Sequence, residues 1–118
     1  MKLTECRSRL IAEGADPQKV ERFLAWHQMH RDVWAAFEKF SLQVADSGKR
    51  RYGSMAILNR IRWYVEIESR SGEFKVCNDW APYYARIFSW EHPQYFDLFV
   101  TKQLKKGEEQ SYEREFYT

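Results

Sequence analysis

The chain has 118 residues with a net charge of +2, 44% hydrophobic and 17% aromatic residues, five Trp among them. That length suits one domain burying roughly two-thirds of its unfolded surface, and the aromatics supply enough buried area for a core without metal or disulfide. Cys6 and Cys77 form no CxxC or paired framework, and no run approaches the ~18 apolar residues of a membrane span, so disulfide scaffolds, zinc ribbons and membrane proteins are disfavoured. MKLTECRSRL has no apolar stretch long enough for a signal peptide, which points to the cytoplasm.

The first 15 residues read as a short helical or irregular lead closed by Gly14 and Asp16. Asp16-Pro17 then has the form of an N-cap followed by a proline in the first helical position, where the missing N–H costs nothing. From there Val20, Phe23, Leu24, His27, Trp34, Phe37, Ser41 and Val44 recur at helical spacing up to the Ser47-Gly48 stop. About 30 residues is long for so small a domain, and Asp32 before Val33-Trp34 can open a new helix. Two helices with a bend between His30 and Asp32 are therefore expected.

Lys49-Arg50-Arg51-Tyr52-Gly53 is a basic linker, and Ser54 is placed to cap the next helix. The stretch SMAILNRIRWYVEIES, residues 54–69, carries one stripe of Ile57, Leu58, Ile61, Tyr64 and Val65, widened by Ala56, Trp63 and Ile67. Met55, Asn59, Arg62 and Glu66 are left to solvent. A helix apolar over so much of its circumference is expected at the centre of the core.

Phe74 to Val76 reads as a short strand, and FDLFVTKQ, residues 96–103, as a second that could pair with it antiparallel. Between them, Asn78-Asp79 caps a helix that stops before Pro93, with Trp80, Tyr84, Ile87 and Phe88 as its core stripe and Tyr83, Arg86, Ser89 and Trp90 on its other side. The expected fold is mainly α with a small two-stranded β ribbon, winged-helix-like, over residues 1–106. Residues 107–118 form an acidic, mobile tail.

Charge is divided along the chain. Residues 1–48 balance, residues 49–106 carry a net +5, and the tail carries a net −3. A basic middle suits an anionic partner. In a winged-helix arrangement the helix after Asn78 would enter the major groove, offering Tyr83, Arg86, Ser89 and Trp90 as the reading surface. Lys49, Arg50, Arg51, Arg62, Lys75, Lys102, Lys105 and Lys106 would supply phosphate contacts. Set against this, nine residues, Arg70 to Asn78, separate the two helices where a standard helix-turn-helix has three or four, and a solvated polar face would look the same.

Other constellations carry less. His27 and His30 stand one turn apart, as metal ligands can, yet the only further donors are Asp32 or Glu91, and packing histidines are commoner. Glu73-Phe74-Lys75 matches the E-x-K half of a nuclease pattern, but Glu66 and Glu68 lie on a helix rather than a neighbouring strand, and Glu68 is better read as pairing with Arg60 or Arg86. No phosphate loop or nucleophile elbow occurs, so neither an enzyme nor a cofactor or metal is expected. The class that remains is a protein-binding inhibitor or adaptor acting on a host protein. Its anchors would be Trp90, Tyr95, Tyr83 and Tyr112, with Tyr112 and Phe116 able to dock on a partner or a second copy.

The span from Phe40 to Lys105, through NRIRWYVEIES, FKV, NDWAPYYARIF, HPQY and FDLF, resembles a family of small uncharacterised proteins found in phages, prophages and bacteria. The resemblance implies a phage-linked cytoplasmic protein and brings no activity to any position.

Overall fold

The computed structural model describes residues 1–68 and 75–101, and within them the chain is helical throughout its regular structure. Helix α1, Leu3–Ala12, is held to the core by Cys6 and Leu10, one turn apart. It ends where Gly14 takes a positive φ of 101°, a conformation that costs a residue without Cβ little. The turn so made lets Ala15 N–H bond to Leu10 C=O (3.1 Å) and Gly14 N–H to Ile11 C=O (3.0 Å), closing a Schellman motif. Buried Ala15 meets the same core as Leu10.

Helix α2, Pro17–Met29, begins as expected: the Asp16 carboxylate accepts from Gln18 N–H at 3.4 Å, with Pro17 in the first turn. It buries Val20, Phe23 and Leu24. The expected bend also occurs, though the residue that makes it is His30, at φ −131° and ψ 54°, rather than a cap at Asp32. Helix α3, Arg31–Asp46, follows at once, buries Val33, Phe37 and Ser41, and packs back against α2. Gly48, at φ 92°, turns the chain out of it.

Helix α4, Ser54–Trp63, starts one residue earlier than a Ser54 cap would require, with Gly53 in the capping position and no side-chain cap. Its last turn passes into a π-helical segment, Tyr64–Glu68. A 3₁₀ turn, Asn78–Trp80, leads into α5, Ala81–Glu91, and a second one, Pro93–Tyr95, follows it.

The centre of the molecule is α5, not α4. Ala81, Tyr83, Tyr84, Ala85, Arg86, Ile87 and Phe88 are all buried, so the first two turns of α5 are enclosed over most of their circumference. Rings from three directions close on it: Phe23 of α2 against Tyr83 and Tyr84 (centroids 5.1 Å each), Phe37 of α3 against Tyr84 (5.4 Å), and Phe99 edge-on to Phe88 (5.6 Å).

No two-stranded ribbon and no wing forms among the described residues, which corrects the winged-helix expectation. The backbone groups that a ladder would use are engaged elsewhere. Val76 C=O accepts from the Arg62 guanidinium, at 3.2 Å from Nε and 2.6 Å from Nη2. On the other segment, Leu98 N–H bonds to Tyr95 C=O (3.0 Å), and Leu98 C=O accepts from Tyr52 N–H (2.8 Å). A single parallel bridge, Tyr52 to Phe99, replaces the ribbon and ties the basic linker to the chain after α5. Phe74 and residues 102–103 of the two expected strands lie outside the described residues, as does the acidic tail.

Candidate interaction surface

The residues expected to read a duplex are not brought to one face. Tyr83 is wholly buried, and Arg86 is only 4% exposed. The Arg86 guanidinium donates from Nη1 to Pro82 C=O (2.9 Å), and its Nε lies 3.6 Å from the Glu13 carboxylate, so its charge is directed at the α1–α2 turn. Ser89 donates to Ala85 C=O within its own helix (3.1 Å), and Trp90 is half-buried with the Arg9 guanidinium over its ring, 5.4 Å from the centroid. An Arg in a helix reads as solvated when its partner is 73 residues away in sequence.

The phosphate set is divided as well. Lys49, Arg50, Arg51 and Lys75 are exposed. Arg62 is a strut: besides Val76 C=O, it donates to Asn59 Oδ1 (2.9 Å) and to Asn78 Oδ1, fixing the end of α4 to the segment that enters α5. Lys102, Lys105 and Lys106 lie outside the described residues, as do Glu73 and Phe74 of the E-x-K pattern.

The two histidines are engaged in packing. His27 stacks on Phe23 and shares a hydrogen bond with the Tyr84 hydroxyl (Nδ1 to O, 3.1 Å), while His30 packs on Trp26 with centroids 4.6 Å apart. Burial, with Arg31 adding to it, holds the His27 pKa below its usual value, and burial raises that of the Tyr84 phenol. Among the described residues no three His, Cys, Asp or Glu side chains gather as a metal site would require. Burial pushes the Cys6 thiol up to about 11, so at neutral pH it is protonated and unreactive.

A buried ion pair, Lys19 with Asp79 at 2.9 Å, gave no sign in the sequence, where Lys19 reads as one more exposed helix residue. It joins the first turn of α2 to the entry of α5 and carries fold rather than chemistry.

What remains on the surface is aromatic. Ile57, Leu58, Ile61 and Val65 seat α4 and its π continuation in the core, and Met55, expected in solvent, is buried with them. The second group of apolar residues is not covered by any described element: Trp63 is 57% exposed, Ile67 53% and Tyr64 43%, with Ala56 exposed on the same helix. At 100° per residue Ala56 and Trp63 stand roughly 140–160° round the helix from Ile61, beyond the reach of the neighbours that cover the main stripe. Tyr64, the first residue of the π winding, is exposed next to Trp63.

This outward face has ordered edges. The Arg60 guanidinium lies over the half-buried Phe40 ring, 4.7 Å from its centroid, and 3.5 Å from the Glu68 carboxylate. Of the two partners expected for Glu68, Arg60 or Arg86, it meets Arg60, and both side chains are exposed.

No protein-family model, curated protein or solved structure matches this chain. No helix among the described residues is long and apolar enough to cross a membrane.

Proposed function

We propose that the chain is a non-catalytic, cytoplasmic protein-binding module that docks through the outward face of α4 and its π-helical end. The observation that carries this reading is the exposure of Trp63, Tyr64 and Ile67 together on one continuous helical element. Trp and Tyr are the side chains that most often anchor interfaces, and π-helical turns occur frequently at functional sites. The anchors thus differ from Trp90 and Tyr95, both half-buried against the core. An inhibitor or adaptor acting on a host protein, the role that suits a phage-linked chain, needs no more than such a face.

A photo-crosslinking residue at position 63 tests it. In extract of the source cells it should capture a defined protein, while the same residue at exposed Gln43 on α3 should not. Equal capture from both positions would remove the reading.

Nucleic-acid binding keeps one supporting observation, the exposed run Lys49-Arg50-Arg51. Three phosphate contacts would give a log–log salt slope of about −3, at about −0.9 per contact. If duplex or single-strand binding at low salt is lost on charge reversal at Arg50 and Arg51 and survives Trp63→Ala, nucleic acid is the partner. A salt-independent interaction lost with Trp63→Ala favours the protein.

A further inference from the structure

We infer that the partner of the α4 face is a second copy of this chain, paired antiparallel across a two-fold axis near Trp63 and Tyr64. The inference rests on the protein-binding reading above and names its occupant. Its ground is the charge pattern that frames the exposed aromatics. Arg60 lies at one end of the patch and Glu68 at the other, and their 3.5 Å contact puts both on the same flank of the helix.

A two-fold axis perpendicular to an antiparallel helix pair carries each flank onto itself with its ends exchanged. Arg60 of each copy then faces Glu68 of the other, while Trp63 and Tyr64 meet their symmetry mates at the centre. A parallel pair, whose two-fold runs along the helices, would carry that flank to the opposite side and set Arg60 and Glu68 against no opposite charge of the other copy, so cross-pairing favours the antiparallel arrangement. The helix dipoles favour the same choice. Phe40 holds the Arg60 guanidinium beside the patch in advance, which lowers the entropy lost on pairing. In such a dimer α4 would be covered on both sides, as its two apolar stripes demand.

Sedimentation equilibrium on the full chain, from nanomolar to millimolar, should show a concentration-dependent dimer. Trp63→Ala should weaken it by at least about thirtyfold, as loss of a central aromatic anchor does. Arg60→Glu and Glu68→Arg should each weaken self-association by about tenfold, because symmetry applies each like-charge contact twice. Mixing those two variants should restore a dimer that is heteromeric. Within either variant the two positions carry like charges, so no contact inside one chain can produce that recovery, and circular dichroism of each variant alone checks that it is folded.

A chain that stays monomeric at every concentration overturns the inference. If crosslinks from position 63 then map to another protein, the protein-binding reading stands with a different occupant. If they map within the monomer to residues 107–118, the chain's own acidic tail is the occupant and a second copy is not. Captures no different from those at position 43 remove both readings. A dimer that ignores the charge variants and fails to form the heteromer is paired through some other surface, which also refutes the inference.

Discussion

Helices α4 and α5 are nearly equal in length, both rich in aliphatic and aromatic residues, yet one is half bare and the other enclosed over most of its length. The difference lies in what surrounds each rather than in its own periodicity. Ala81 and Ala85 give α5 small side chains that let neighbouring helices approach, and its one internal cation is buried against Glu13 from the α1–α2 turn. On α4 the second stripe is bulky, with Trp63 and Ile67 standing out from the helix, and no described element covers it. Apolar content therefore marks both helices as needing partners, and only the fold tells which partner lies inside the molecule.

The largest expected effect is on the enclosed helix. Phe88→Ala removes a fully buried ring that meets Phe99 and His92, and should cost about 3–5 kcal/mol of the roughly 5–15 that such a domain has. Ile61→Ala, on the inner face of α4, should cost about 2–5 kcal/mol by the same cavity argument. Urea unfolding would measure both. If Phe88→Ala were nearly silent, α5 could not be the centre of the core.

A smaller effect concerns the seam between α2 and α5, where His27 meets Tyr84. Burial lowers the His27 pKa in the folded state below its usual 6.5, so between those values the unfolded chain binds the extra proton. The resulting stability is fully present above about pH 6.5 and is lost as pH falls from there through the folded pKa. His27→Gln keeps a polar group against the Tyr84 hydroxyl and removes the titration. Wild type should lose more stability than this variant between pH 7.5 and 5.5, and equal losses would show that the ring is not held neutral.

How much of this the sequence discloses depends on the range of the forces involved. Helix ends are set by neighbours, so Asp16-Pro17, Gly14, the bend at His30 and the stop at Gly48 are readable from a few residues each. The inner stripe of α4 is readable too, because Ile57, Leu58, Ile61 and Val65 repeat at 3.6. The burial of Arg86 and Lys19 is not, since Glu13 and Asp79 reach them only through the fold. Apolar–polar alternation in FDLFV suggested a strand, yet the buried residues are the consecutive Leu98 and Phe99, and Tyr52 takes the Leu98 carbonyl. The exposure of Tyr64 is not legible either, since its spacing from Ile57, Leu58 and Ile61 argues for burial. The candidate site is legible in the sequence only as a surplus of aromatics, and which of them stay exposed depends on contacts made by the fold.

The smallest expected effect is the sharpest test of the contrast between the two faces of α4. Trp63 stands two residues from Ile61 on the same helix and is the larger side chain, so an argument from hydrophobicity alone predicts the greater loss at Trp63. Its ring is more than half exposed, however, and Trp63→Ala in the monomer vacates no cavity. Substitutions at exposed positions without such a feature change stability by about 0.5 kcal/mol or less. At a concentration low enough to dissociate any dimer, urea midpoints of wild type and Trp63→Ala should therefore coincide, and the two should separate as protein concentration rises, because only wild type gains from pairing. A large loss at low concentration would mean that Trp63 belongs to the fold of its own chain, and that the outward face of α4 is already covered from within.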